Sequence, residues 1–177
     1  MEPIQSNKIY PIGIQNFEKM RKGGYFYVDK TALVYRLVKT GSYYFLSRPR
    51  RFGKSLLIST LEAYFQGKKE LFEGLAMEKL EKDWIKRPVL HIDLNIGKYD
   101  TPDSLDKQLE KAVTEWEQLY GTGMAESTLA LRFAGVVRRA CEQTGQRVAI
   151  LIDEYDKPML QAIGNNCLLY TSDAADD

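Results

Sequence analysis

Two short segments of the chain carry residue types whose spacing suits chemistry on a phosphate group. The first is SRPRRFGKS, in which residues 48–55 match the phosphate-loop pattern GxxxxGK[ST] except that Arg48 replaces the first glycine. In this pattern Gly53 lets the backbone approach a phosphate, Lys54 brings a positive charge to the β- and γ-phosphates, and Ser55 offers a hydroxyl to Mg²⁺. A basic surface loop is the alternative interpretation. The predicted phosphate contacts are Arg48, Pro49, Arg50, Arg51, Phe52, Gly53, Lys54, Ser55 and Leu56.

The second segment is VAILIDE, residues 148–154, an apolar run that ends in two carboxylates. An apolar strand ending in an acidic pair is the Walker B pattern of phosphate-loop enzymes. Asp153 would hold Mg²⁺ through water, and Glu154 would orient or deprotonate an attacking water molecule. Alone, the pair could be an ordinary solvated strand end. Together, the two segments predict Lys54 and Glu154 as catalytic residues, and Ser55 and Asp153 as metal ligands.

The elements that must position these residues alternate between strands and helices. Buried strands are predicted at residues 43–46, 89–94 and 148–152, where short apolar runs are bounded by glycine, proline or charged residues. A helix beginning at Gly53 is predicted to end near residues 66–67. Further helices are predicted over residues 32–40, 68–86, 104–120 and 127–143. Lys157 and Pro158 mark the start of another helix, because proline suits the first helical turn. The order predicts a three-layer α/β fold with helices on both faces of a parallel sheet.

The composition excludes several classes of protein. The 177 residues are 44% hydrophobic and 28% charged, which suits a globular domain with a sizeable core. A formal net charge of +1 gives no overall field to attract nucleic acid or an anionic membrane. The longest apolar runs are too short to cross a bilayer, and the N-terminus lacks the pattern of a signal peptide. Cys141 and Cys167 have no metal-binding spacing, so a reducing cytoplasm is expected.

A specific resemblance extends over residues 11–160. The run YYFLSRPRRFGKSLLISTLEAYFQGKKELFEGLA, with PIGIQNFEKMRKGGYFYVDKTALV before it and VAILIDEYDKP after it, resembles the predicted AAA-type ATPase-like family of bacteria and archaea. Arg48 departs from the general loop pattern but is typical of this family. The resemblance implies an ATPase of the ASCE division, usually fused to a C-terminal PD-(D/E)XK nuclease-like domain. It assigns the roles given above to Lys54, Ser55, Asp153 and Glu154, with ATP and Mg²⁺ as cofactors, and it places residues 25–30 against the adenine.

The end of the chain departs from this pattern. Residues 165–177, NNCLLYTSDAADD, have no amphipathic period, and we expect a non-native or disordered tail after a partial ATPase domain at residues 1–164. A native solvated tail is the alternative. In the ASCE order that the resemblance implies, a strand beyond residue 160 would separate strands 43–46 and 148–152. We therefore expect no direct pairing between these two strands, and an isolated chain that is loosely folded and inactive.

Two functions follow as hypotheses. In the first, the chain is an ATPase module that couples hydrolysis to an attached nuclease-like effector, which would contact nucleic acid. In the second, it is a nucleotide-dependent binding switch with little hydrolysis. Assembly into an oligomer is compatible with either function. Among other candidates, His91 and Asp93 are interpreted as core or strand-end residues, and Arg48, Arg50 and Arg51 as phosphate clamps in preference to contacts with a nucleic-acid backbone.

Overall fold

The computed structural model describes residues 9–47, 52–95, 97–99, 101 and 103–164. The chain divides into two compact units, Met1–Arg87 and Pro88–Asp177, called here the N-terminal and C-terminal units. The fold is mixed α/β, and a small parallel sheet of two strands lies in the C-terminal unit. Within the described residues, no helix is long and apolar enough to cross a membrane.

Short helices build the described part of the N-terminal unit. They are α1 (Phe17–Lys22), α2 (Thr31–Thr40), α3 (Lys54–Phe65), a 3₁₀ helix (Lys69–Phe72) and α4 (Ala76–Leu80). Aromatic rings fill much of the core between them: Phe17 contacts Tyr27 and Phe72, with ring centroids 5.3 and 4.9 Å apart, and Phe72 contacts Trp84 at 5.1 Å. Offset and edge-to-face contacts of this kind stabilise a core beyond the area that they bury.

The predicted helices at residues 32–40 and 53–66 are confirmed within one or two residues. Gly41 follows the last residue of α2, as expected. Asp29 Oδ1 accepts hydrogen bonds from the backbone nitrogen and the hydroxyl of Thr31, so it satisfies a donor at the start of α2. The second oxygen of Asp29 accepts from the backbone nitrogen of Ala76, which ties α4 to the start of α2.

The predicted continuous helix at residues 68–86 is wrong. The segment instead forms the 3₁₀ helix and the five-residue α4, separated at Gly74, whose φ of +75° no helix can contain. Of the apolar stripe predicted for this helix, Leu71, Phe72 and Leu75 are buried, but Leu80 is 42% exposed. The apolar pattern therefore identified most of the buried residues, but it did not reveal the break.

The predicted buried strand at residues 43–46 is also wrong. Residues 43–47 form neither helix nor strand, and the Tyr43 side chain is 96% exposed. A strand needs partners for its backbone groups and cover for its side chains. In the part of the chain that the structure describes, the only ladder joins the two strands of the C-terminal unit.

The C-terminal unit contains β1 (Val89–Asp93), α5 (Ser104–Tyr120), α6 (Leu129–Thr144), β2 (Ala149–Asp153) and α7 (Lys157–Gly164). All of these elements were predicted, with bounds that differ by two residues or fewer where both ends were given. The strands are parallel and pair in register from Val89 with Ala149 to Asp93 with Asp153. The helices α5 and α6 lie in the connection between the strands, as parallel pairing requires.

The core of the C-terminal unit joins β1 to α5 and α6. Its buried side chains are Leu90, Ile92, Leu94, Tyr99, Val113, Trp116 and Val136. The second strand is less covered than its continuous apolar sequence predicted, because Ile150 and Ile152 remain 44% and 47% exposed. Full cover of both faces of the sheet is therefore not observed in the described residues.

A buried carboxylate, that of Glu81, organises one end of the N-terminal unit. It accepts a hydrogen bond of 2.5 Å from the Tyr64 hydroxyl in α3, and its Oε2 lies 2.9 Å from Nζ of Lys39 in α2. Its other oxygen accepts from the backbone nitrogens of Lys82 and Asp83. Burial opposes ionisation, but these hydrogen bonds outweigh it and lower the pKa of Glu81 from its usual 4.5 to about 2. The carboxylate thereby fastens the C-terminal end of α3.

We predict that Glu81→Gln lowers the free energy of unfolding at pH 7 by about 2 to 3 kcal/mol, the cost of losing hydrogen bonds to a charged group. Because the folded-state pKa is depressed, this stabilisation is present above about pH 4.5 and is lost as the pH falls towards 2. Urea unfolding at several pH values measures both effects, and the variant should lose part of the acid dependence. Glu70→Gln, at an exposed site, is the control. Equal stability of Glu81→Gln and the wild type at pH 7 would contradict the role of Glu81.

Candidate nucleotide-binding site

The start of α3 has the backbone geometry that a phosphate loop needs. Gly53 precedes the helix with φ of +75° and ψ of 25°. Among the described residues, an added Cβ at Gly53 would meet no atom within 4 Å. The left-handed backbone, not crowding, therefore favours glycine here. The first backbone N–H groups of a 12-residue helix begin directly after it, which is a favourable arrangement for an anion.

The predicted phosphate contacts divide into two sets. Phe52 is exposed, whereas Lys54, Ser55 and Leu56 are half-buried in the first turn of α3. Arg48, Pro49, Arg50 and Arg51 lie outside the described residues. Of the defined positions of the loop pattern, the structure thus describes Gly53, Lys54 and Ser55, which lie at the start of α3.

The helix behind this turn is anchored along its body. Ser59 Oγ accepts a 2.9 Å hydrogen bond from the backbone nitrogen of Phe17 in α1, and the Thr60 hydroxyl donates to the carbonyl of Leu56. The Tyr27 hydroxyl forms a hydrogen bond with the Thr60 side chain, and burial raises the pKa of Tyr27. These contacts hold α3 while its first turn stays accessible.

Residues 25–30, for which the resemblance implied contact with adenine, form neither helix nor strand and lead into α2. Tyr27 is turned inward onto Phe17, so it belongs to the core. Phe26 and Val28 are exposed, and the Phe26 ring lies 5.6 Å from the ring of Tyr10. If this segment contacts a base, Phe26 and Val28 are the apolar side chains that remain accessible for it.

The acidic pair lies at the carboxyl end of β2, where the strand meets α7. Asp153 is 7% exposed, and its Oδ1 accepts a 2.9 Å hydrogen bond from the backbone nitrogen of Glu154. Its register partner is Asp93, whose Oδ1 accepts a 2.8 Å bond from the backbone nitrogen of Asn95. Strand-end hydrogen bonding was the preferred interpretation of Asp93, and it is confirmed. The structure therefore brings Asp93, Asp153 and Glu154 to one edge of the sheet.

The backbone at Glu154 is strained. Its φ is +54°, a left-handed conformation that costs roughly 1 to 2 kcal/mol for a residue with a Cβ. Hydrogen bonds on both sides hold it, because its nitrogen donates to Asp153 and its carbonyl accepts from the backbone nitrogen of Lys157 at 3.1 Å. Strain of this kind is concentrated at functional sites, where surrounding structure maintains it.

Sequence patterns did not identify a contact between the ends of the two strands, that of Lys157 with Asn95. The ammonium group of Lys157 donates to the backbone carbonyl of Asn95 and lies 3.2 Å from its Oδ1. Lys157 had been recognised only as the residue before Pro158 at the start of a helix, and that helix start is confirmed. No local signal could have paired two residues that are 62 positions apart.

The described residues contain no group of three or more His, Cys, Asp or Glu side chains that could hold a metal ion. In nucleotide sites Mg²⁺ is held by one or two protein oxygens together with substrate phosphates and water. The Ser55 hydroxyl and the Asp153 carboxylate are each an oxygen ligand of this type.

Comparison with known proteins shows the family of the chain. The sequence profile of the family described as predicted AAA-ATPase matches residues 11–175, so the chain belongs to this family. This membership suggests ATP-related activity and nucleotide binding. A protein of Azotobacter chroococcum mcd 1, described as an uncharacterized protein in the vnfD 5' region, is 43% identical over 157 residues. The match covers 88% of this chain and 30% of that protein, so the chain spans about a third of its relative's length. No solved structure matches the chain.

We predict that Glu154→Gly yields a protein more stable than Glu154→Ala by about 1 kcal/mol, because glycine adopts the left-handed backbone without strain. Both variants lose the carboxylate, so the difference between their free energies of unfolding reports the strain of the left-handed backbone. Urea unfolding at neutral pH provides the measurement. If alanine is as stable as glycine at this position, Glu154 is not held in the left-handed conformation.

Proposed function

We propose that the chain binds ATP with Mg²⁺ at the loop before α3 and that it contributes to hydrolysis of the γ-phosphate. The observation that carries the proposal is the backbone at the start of α3, where left-handed Gly53 precedes Lys54 and Ser55. Membership of the predicted AAA-ATPase family supports ATP as the ligand in preference to another anion.

In this proposal the loop binds the phosphates by charge and by backbone donors. Lys54 neutralises the β- and γ-phosphates, and the first N–H groups of α3 donate to phosphate oxygens. Residues 48–52 complete the loop, with Arg48, Arg50 and Arg51 as additional cations. Guanidinium groups suit phosphates because they donate two parallel hydrogen bonds.

Mg²⁺, when bound with ATP, would neutralise charge on the phosphates. Ser55 would offer its hydroxyl to the ion, and Asp153 would hold it through a water molecule. The single hydrogen bond from the Glu154 backbone fixes Oδ1 of Asp153 and so orients the carboxylate. A fixed carboxylate binds a small ion in one geometry, which Mg²⁺ requires.

Glu154 is the proposed general base. Its carboxylate would orient the attacking water and withdraw its proton as the new P–O bond to the γ-phosphorus forms and the bond to the β,γ-bridging oxygen breaks, which releases ADP. The left-handed backbone at Glu154 supports this role, because strained backbone is concentrated at functional sites. The proposal thus assigns different tasks to two neighbouring carboxylates, metal positioning to Asp153 and water activation to Glu154.

The parallel pairing of β1 and β2, with α5 and α6 between them in the chain, supports a phosphate-loop α/β fold of the ASCE type. We further propose that residues 1–164 are part of a cytoplasmic ATPase domain that drives an attached effector. A nuclease-like effector would act on nucleic acid, and assembly into an oligomer is compatible with the proposal. Residues 165–177, expected to be a non-native tail, lie outside the described residues.

We predict that Lys54→Ala, in the full-length gene product, weakens binding of Mg-ATP at least tenfold, or by about 1.4 kcal/mol, because it removes the charge directed at the phosphates. Isothermal titration calorimetry measures the affinity. The control is Lys69→Ala, which removes an exposed lysine of the 3₁₀ helix and should leave the affinity unchanged. Equal affinity of Lys54→Ala and the wild type would show that this loop is not a phosphate site.

We predict that Glu154→Gln, in the full-length gene product, still binds Mg-ATP but lowers turnover by about 10² or more, since the amide cannot accept the proton of water. Phosphate release measures turnover, and calorimetry measures binding in the same preparation. Glu142→Gln, at an exposed position in α6, is the control. Unchanged turnover in Glu154→Gln would favour the alternative function, a nucleotide-dependent binding switch.

A further inference from the structure

Hydrogen bonds at the carboxyl ends of both strands hold the turn between β2 and α7. The backbone nitrogen of Leu94, just after β1, donates to the carbonyl of Asp153 at 3.1 Å, which extends the ladder by one bond. Asp93 then accepts from the backbone nitrogen of Asn95, and Asp153 from that of Glu154. Each strand thus ends in a carboxylate that closes its own turn.

Lys157 connects these two turns. Its ammonium group donates to the backbone carbonyl of Asn95 and lies 3.2 Å from the side-chain oxygen of the same residue. Its backbone nitrogen donates to the carbonyl of Glu154. Lys157 therefore bonds both to the turn at Glu154, after β2, and to Asn95, after the neighbouring strand β1.

A second connection runs parallel to the first. The backbone nitrogen of Tyr99 donates to Oε1 of Gln161 in α7 at 3.0 Å, and the Tyr99 hydroxyl donates to the carbonyl of Leu94 at 2.9 Å. Tyr99 is buried in the core of the unit. The helix α7 is therefore tied to the segment after β1 at two points, one near its start and one a turn later.

The position of Lys157 in α7 is unfavourable by itself. A cation in the first turn of a helix faces the positive end of the helix dipole, which costs about 0.3 to 1 kcal/mol at an exposed site. The two oxygens of Asn95 offset this cost, since hydrogen bonds from a charged donor are stronger than neutral ones. The ammonium group of Lys157 is therefore bound by another residue of the chain, Asn95.

We propose that Lys157 is a positioning residue, which fixes the turn carrying Glu154 by fastening it to Asn95. This inference rests on the proposed function, because it concerns the orientation of the proposed general base. In this proposal Lys157 acts through the turn. Neither of the two motifs, residues 48–55 and 148–154, includes Asn95 or Lys157.

The test compares Lys157→Met, which keeps the length of the side chain and loses the donor, with Lys157→Arg, which keeps a cationic donor. The control is Lys98→Met, at an exposed lysine in the segment after β1. Hydrogen exchange of the chain measures the opening of the amides of Glu154 and Lys157. Turnover of the full-length gene product over a range of Mg-ATP concentrations separates kcat from KM.

In Lys157→Met we expect exchange at Glu154 and Lys157 to rise about tenfold, as the loss of a charged hydrogen bond predicts. Exchange at Val136 in the core of α6 should not change, which distinguishes a local effect from general destabilisation. We expect kcat to fall about tenfold with KM within twofold, and Lys157→Arg to recover most of both effects.

Unchanged exchange at Glu154 in Lys157→Met would overturn the proposal, and so would faster exchange with an unchanged kcat. A rise in KM alone would also overturn it, because it would mean that Lys157 contacts the nucleotide. If the wild-type gene product shows no hydrolysis, the proposed function fails. The exchange measurement then still decides whether Lys157 fixes the turn.

Discussion

The in-register pairing of Val89–Asp93 with Ala149–Asp153 is the constraint on which the C-terminal unit depends. Parallel strands cannot be joined by a tight turn, so the chain must leave the sheet and return through a long connection, which here contains α5 and α6. The same helices supply Val113, Trp116 and Val136 to the core over Leu90 and Ile92. Because both strands run in one direction, their carboxyl ends lie at one edge, and Asp93 and Asp153 become neighbours there.

Two left-handed residues mark the proposed chemistry, and the chain accommodates them differently. At Gly53 the absence of a side chain makes the conformation inexpensive, and the helix behind it is anchored by Ser59 and Thr60. At Glu154 a carboxylate is required by the proposed function, so the strain must be offset by neighbouring hydrogen bonds. These bonds and the connection from Lys157 to Asn95 hold the turn at Glu154.

Features encoded by local patterns could be predicted from the sequence. The helix α5 was predicted with its observed bounds, and both strands were predicted within one residue at each end, because apolar periodicity and glycine or proline boundaries are local signals. The residues of the acidic pair were likewise recognised from the strand before them. The contact between Lys157 and Asn95 was not, since it depends on the sheet register and not on nearby residues.

The errors have physical causes of the same kind. Residues 43–46 have a strand-like composition, but a strand exists only when another strand satisfies its backbone, and composition does not specify that partner. Residues 68–86 carry a helical apolar stripe, but the left-handed backbone at Gly74 divides them into two short helices. In both segments the composition indicated a local preference for strand or helix. The structure differs because residues 43–46 have no partner strand among the described residues and because the backbone at Gly74 is left-handed.

The central claim is that the start of α3 at Gly53 binds the phosphates of Mg-ATP. Its most direct test replaces Mg²⁺ by paramagnetic Mn²⁺ in a complex of the full-length gene product with ATP and measures the broadening of backbone amide NMR signals. The account predicts ATP-dependent broadening at Gly53 and Lys54. Broadening that does not depend on ATP, or no broadening at these two residues, would contradict it.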